Sequence, residues 1–278
     1  MLQQIKLQET INKGGLRTKG IHNNKLVVSV VCVTLNAAKT LPALIKSVNH
    51  HKPGAFEFVV IDGNSTDGTI DILKENEDVI DFWISKPDNG IYDAMNRSLN
   101  YVKGNWVIFL GADDLLMSGF ENMIGLLKDP NTIYYGNLLF YGKEFLKIYD
   151  DYYLTKLNIC HQAIFYPRSV FIKYNYDLKY KVYADYHLNL RCWNDPQFKF
   201  VHADHLISYF REGGFSSYTK DPVFEGDREM LFKKYLKPAS YYRYLNRTLG
   251  IFGIFKQFIQ NKYPPKLIFR AQQKQEFI

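Results

Sequence analysis

From Trp106 to Leu110 five apolar residues run together and stop at Gly111-Ala112-Asp113-Asp114. A short apolar run bounded by glycine is the pattern of a strand buried on both faces, as in a parallel sheet covered by helices. Ligands of open α/β sheets bind where strands end at their carboxyl edge. Two adjacent carboxylates at that edge repel each other unless a cation or hydrogen-bond donors hold them. With a substrate phosphate they suit Mg²⁺ or Mn²⁺; alternatively, Asp113 or Asp114 caps the following helix.

The preceding residues repeat the theme. Residues 27–33 and 56–61 are nearly all apolar and end at Thr34-Leu35-Asn36 and at Asp62-Gly63-Asn64-Ser65-Thr66-Asp67-Gly68-Thr69. Leu41, Leu44, Ile45 and Val48 recur at helical spacing between them, with Pro42 near the first turn, where proline is tolerated. A short strand at 81–85, a turn at Pro87-Asp88-Asn89-Gly90 and a helix over 91–102 precede Trp106. Strands alternating with helices predict a mostly parallel α/β sheet with flanking helices. Asn36, Asp62, Asp113 and Asp114 then converge on one edge. Neither a Gly-x-Gly-x-x-Gly nor a Gly-x-x-x-x-Gly-Lys-Ser/Thr loop is present, so phosphates need another holder, and a metal on the aspartate pair supplies one.

Four motifs in residues 27–116 resemble glycosyltransferase family 2: residues 27–36, 62–69, 88–97 and Ala112-Asp113-Asp114. The resemblance implies a GT-A fold, a nucleotide-sugar donor and inversion at the anomeric carbon. It implies that Asp62 contacts the base, that Asp113 lies near ribose and metal, and that Asp114 is the principal metal ligand. Thr34, Asn36, Asp88, Asn96 and Arg97 complete the implied donor set. The family's frequent Pro-x-Tyr/Phe-Asn is Val33-Thr34-Leu35-Asn36 here, which leaves UDP, GDP and dTDP open.

Residues 133–141, 149–153, 160–166, 198–201 and 206–210 read as strands of an acceptor-binding half, 117–230. Tyr183-Ala184-Asp185-Tyr186-His187 starts a helix and resembles the family's (Glu/Ala)-Asp-Tyr-Asp segment, with His187 at its last acidic position. An aspartate in a first turn is also favoured by the helix dipole. The implied role of Asp185 is to take the acceptor hydroxyl's proton, a contribution of ~10²–10⁴-fold. His161 and Gln162 are candidates for hydrogen bonds to the acceptor sugar or to a donor hydroxyl, or the histidine is satisfied by backbone. Arg211 opens a glycine loop over 211–217 and either faces the diphosphate or sits in a surface turn. His202 and His205 are candidates for a further metal ligand.

Charge is unevenly spread. Residues 231–278 hold ten Lys/Arg and one acid, Glu276; the chain totals +7, so residues 1–230 sum to −2. With 46% hydrophobic and 23% charged residues there is ample material for a core and no disorder signature. Three cysteines without metal-ligand spacing and an amino terminus without a signal-like apolar core fit a reduced cytoplasmic compartment. The chain divides into a basic, partly flexible N-terminal arm (1–25), a catalytic domain (26–230, with its nucleotide-sugar half at 26–116) and a basic helical tail (231–278). Tyr241, Leu245, Leu249, Phe252 and Ile259 form an apolar stripe on that tail, flanked by cations. No nucleic-acid motif accompanies it. An anionic membrane surface suits it better, on the inner face of the cytoplasmic membrane, where a glycan or polyprenyl-linked acceptor resides. A nucleotidyltransferase and an inactive nucleotide-sugar binding module are the alternatives to a transferase.

Overall fold

The computed structural model describes residues 12–23, 25–211 and 219–262, with side chains described as far as residue 250. Its centre is four parallel strands, β2 (Val28–Thr34), β3 (Phe56–Asp62), β4 (Phe82–Ser85) and β5 (Trp106–Gly111), in the order β4-β3-β2-β5. β2 and β3 are buried at every position, which is why they read as nearly continuous apolar runs, with the buried Ser29 and Glu57 hydrogen-bonded to each other at 2.6 Å. Alternate side chains go to opposite faces. Val28, Val30 and Cys32 pack with α1 (Leu41–His50) and α2 (Thr69–Glu75). Val31 and Val33 pack with α3 (Ile91–Ser98) and the later helices.

The chain moves outward from β2 to β4 and returns to the other side of β2 as β5. The crossover direction therefore reverses between β2 and β5, and a crevice at their carboxyl ends follows from that reversal.

β6 (Leu115–Leu116) follows, then α4 (Gly119–Leu126), β7 (Thr132–Phe140), β8 (Lys143–Phe145), β9 (Ile164–Pro167) and α5 (Arg168–Lys173). α6 (Ala184–Asn194), β10 (Lys199–Phe210), α7 (Pro222–Tyr235) and α8 (Pro238–Lys262) complete the order. β9 lies antiparallel between β5 and β7 and makes one sheet of both halves. β10 is parallel to β7 and antiparallel to β6.

Several expectations change. The arm over 1–25 is not loose where it is described: β1 (Asn12–Gly14) pairs with β4, and Arg17 donates to Tyr101 O at 2.7 Å while stacking on Phe82. Residues 149–153 form no strand; Tyr149 and Tyr153 meet as rings 5.2 Å apart instead. The segment expected as a strand over 160–166 begins with a 3-10 turn, His161–Ala163. The two strands expected at 198–201 and 206–210 are one, because β10 carries its irregularity between His202 and Leu206 without leaving β7. The division expected at 230/231 falls inside α7, whose Leu231 and Phe232 are core residues. α8 opens with Tyr241 and Leu245 buried against the body and breaks at Gly250 (φ 68°). The first two residues of the expected membrane-facing stripe thus face protein. No helix among the described residues is long and apolar enough to cross a membrane, and all three cysteines are free.

Candidate active site

The crevice between β2 and β5 is a cavity of about 620 Å³. The end of β2 contributes Val33, Thr34, Leu35 and Asn36, the end of β5 contributes Gly111, Ala112 and Asp113, and the start of α3 contributes Ile91, Tyr92 and Asp93. Asn36 takes a left-handed conformation (φ 51°), which asparagine tolerates, and ties two loops together. Its backbone N–H donates to Ser65 Oγ at 2.7 Å, and its Oδ1 accepts from Thr66 N at 2.9 Å. The buried Thr34 hydroxyl has no hydrogen-bond partner among the described residues.

Asp62 is fully buried and lines neither this cavity nor the next. Its carboxylate accepts from Ser85 Oγ at 2.6 Å and from Ser65 N at 2.9 Å, and also from Ser65 Oγ. Asp88 does line the cavity, and burial raises its pKa. A Cβ on Gly63 would come within 2.7 Å of Asp88 Oδ2, so glycine is what lets that carboxylate approach. Asn96 and Arg97 are engaged elsewhere. Asn96 donates to Tyr176 O at 2.9 Å and accepts from Tyr176 N at 3.0 Å. Arg97 donates to Pro87 O at 2.6 Å and pairs with Asp93 at 2.7 Å.

Gly111 permits the aspartate turn, since a Cβ there would lie 2.7 Å from Asp113 Oδ1 and 3.0 Å from Asp114 Oδ2. Asp113 is half-buried and faces the cavity. Asp114 is 1% exposed and folds back, accepting from Gly111 N at 2.7 Å and more distantly, at 3.4 Å, from Arg211 N. Burial, and then the charge of Asp113, push its pKa up to about 7. A cation would relieve that strain between like charges. Among the described residues no group of three or more His, Cys, Asp or Glu is arranged to hold a metal. Two carboxylates remain, a number that fits Mg²⁺ or Mn²⁺ shared with substrate phosphate and water. His202 and His205 do not join them: His202 Nε2 is bonded to Asn137 Oδ1 at 2.8 Å, and neither histidine lines either cavity. Residues 212–217 of the expected glycine loop lie outside the described residues.

A second cavity of about 410 Å³ adjoins the first. Asp113, Gly111, Ile91, Tyr92 and Lys181 line both. Here the structure brings His161, Gln162 and Asp185 together. Asp185, 6% exposed in the first turn of α6, accepts four contacts. Oδ1 faces Tyr186 N at 2.8 Å and the Tyr92 hydroxyl at 3.0 Å; Oδ2 faces Asn158 Nδ2 at 2.9 Å and His161 Nδ1 at 3.0 Å. The segment before α6 is fixed from α7. Asp221 caps that helix through Phe224 N and also accepts from Val182 N at 2.8 Å. His187 stands apart among Tyr180 and Tyr235, and burial lowers its pKa to about 4.

Sequence reasoning missed Tyr92, Asn158 and Lys181. Tyr92 lies within a motif already singled out, and Asn158 stands two residues before Cys160. Their convergence on Asp185 arises only when α3, the 158–161 segment and α6 are brought together.

The sequence model described as "Glycosyl transferase family 2" matches residues 29–236. A Mycobacterium bovis protein named PGL/p-HBAD biosynthesis glycosyltransferase is 37% identical over 212 residues, 70% of this chain and 81% of that one. An Escherichia coli protein, UDP-Glc:alpha-D-GlcNAc-diphosphoundecaprenol beta-1,3-glucosyltransferase WfgD, is 24% identical, covering 66% of this chain and 77% of its own. Among solved structures, S. aureus TarS 1-349 in complex with UDP-GlcNAc superposes with a TM-score of 0.60 at 17% identity, over 81% of this chain and 72% of that one. The mannosyltransferase PcManGT from Pyrobaculum calidifontis, in complex with GDP-Man and Mn²⁺, gives 0.56 at 14% identity, over 89% and 84%. The fold is thus that of these transferases.

Proposed function

This chain belongs to glycosyl transferase family 2, and on that premise we propose that it transfers a sugar from a nucleotide-sugar donor to an acceptor hydroxyl in a single displacement that inverts the anomeric carbon. The observation that carries the reading is the junction of two cavities at Asp113. The β2–β5 crevice takes the nucleotide and its diphosphate; the cavity around Asp185 takes the acceptor. The reacting carbon sits where the two meet.

Asp113 and Asp114 would hold Mg²⁺ or Mn²⁺, which would supply positive charge against a departing diphosphate. The chain's own residues do the rest. The ends of β2 and α3 enclose the nucleotide, Lys181 brings a positive charge to the shared wall, and Asp185 supplies the carboxylate behind proton removal. The E. coli relative is named for a diphosphoundecaprenol-linked acceptor, which supports a lipid-linked glycan here. The cationic C-terminal residues support work at the inner face of an anionic membrane.

Thermal denaturation against a panel of UDP-, GDP- and dTDP-sugars, with and without Mn²⁺, tests the donor half without needing an acceptor. A donor that binds the folded chain raises its melting temperature by mass action. Absence of any Mn²⁺-dependent stabilisation across the panel refutes the proposal.

A further inference from the structure

Resting on that transferase reading, we infer that the atom receiving the acceptor's proton is Nε2 of His161, and that Asp185 is the group that orients and charges it. A carboxylate has about four lone-pair positions. On Asp185 all four are faced by protein: Tyr186 N, Asn158 Nδ2, His161 Nδ1 and the Tyr92 oxygen, whose one proton is shared with Val182 O at 2.6 Å. A substrate hydroxyl finds no open position there. An ionised carboxylate only accepts, so Nδ1 of His161 carries the proton of their 3.0 Å bond and Nε2 holds the free lone pair. Nε2 bonds to nothing among the described residues and is not among the sealed-off polar atoms, while His161 lines the acceptor cavity. A carboxylate behind an imidazole fixes its tautomer and stabilises the imidazolium that forms.

The step balances. The acceptor oxygen bonds to the anomeric carbon and its proton passes to Nε2. The bond from that carbon to the leaving phosphate oxygen breaks, and its electron pair departs with the nucleoside diphosphate. His161 becomes imidazolium beside Asp185.

The test uses the full chain and follows nucleoside diphosphate release from whichever of UDP-glucose, UDP-GlcNAc, GDP-mannose or a dTDP-sugar wild type turns over fastest, water serving as acceptor if no other is known. His161→Gln keeps a donor toward Asp185 but cannot take a proton. It should lose ~10²-fold or more in turnover, the least a general base contributes, with UDP–Mn²⁺ affinity and melting temperature unchanged. His161→Gly should regain turnover in proportion to added imidazole, which a positioning role alone does not allow. Turnover of His161→Gln within about tenfold of wild type overturns the inference. So does rescue of Asp185→Ala by formate without rescue of His161→Gly by imidazole, which puts the proton on the carboxylate. A wild-type chain that releases nucleoside diphosphate from no donor refutes the transferase reading itself and this inference with it. The two failures are therefore distinguishable.

Discussion

Replacing Asp114 with asparagine should make the metal-free protein more stable at alkaline pH while abolishing its response to metal. Asp114 is buried beside Asp113, and its pKa stands at about 7 instead of 3.8. Each pKa unit between folded and unfolded states is 1.36 kcal/mol, so the buried charge costs on the order of 4 kcal/mol. Folding raises this pKa, so the folded chain holds the proton more tightly than the unfolded one. Asp114 therefore weakens the metal-free fold progressively as pH climbs from 3.8 to about 7, and the penalty is complete above that. Asparagine is neutral throughout and can still accept from Gly111 N. In the presence of a chelator, Asp114→Asn should melt several degrees above wild type near pH 8, at roughly 2–4 °C per kcal/mol. The gap should close as pH falls toward about 4. Adding UDP and Mn²⁺ should raise the wild-type melting temperature more at pH 8 than at pH 5, because a ligand carboxyl must first lose its proton. The variant should show no such rise. Melting curves followed by circular dichroism across that range decide it. A variant no more stable than wild type at pH 8, or a difference independent of pH, refutes the reasoning.

Two further outcomes follow from the same structure. Asn96→Ala strips both Tyr176 backbone groups of their partner and should cost about 1–3 kcal/mol of stability without altering UDP–Mn²⁺ affinity; lost affinity at unchanged melting temperature makes Asn96 a donor ligand instead. The full chain should co-sediment with anionic liposomes at low salt and be released as salt rises, whereas a chain ending at Gly250, which keeps Tyr241 and Leu245 in their packing, should stay in the supernatant; equal partitioning of the two removes the support for membrane binding.

What was legible in the sequence follows from burial. β2, β3 and β5 announce themselves because helices cover both faces, so nearly every residue is apolar and no phase has to be guessed. β10 does not, because His202, Asp204 and His205 interrupt its pattern at an irregular step that the β7 pairing bridges. The tyrosines of 149–153 have strand propensity, yet Tyr149 is used for ring packing against Tyr135 and Tyr153. At the site, carboxylates at strand ends could be found by position along the chain, which is how Asp113 and Asp114 emerge. Asn96 and Arg97 sit in an informative motif, but their side chains brace α3 against Tyr176 and Pro87. A motif fixes residue identity without saying whether the side chain meets a ligand or a backbone. Tyr92 and Asn158 were out of reach for the opposite reason, since their role exists only through tertiary approach.

β9 bears on how such a protein is born. Its short pairings with β5 and β7 join residues as distant in sequence as Trp106 and Pro167. Until that strand arrives, β5 presents an unpaired edge, the kind of surface that invites association with other chains. Contacts between remote residues close late, because the entropy of the intervening loop must be overcome before they form. The β2–β5 segment therefore exposes that edge until the later chain supplies β9. A nascent chain that has emerged only as far as Leu116 holds β2 to β5 and the aspartate pair but not the strand that seals their edge.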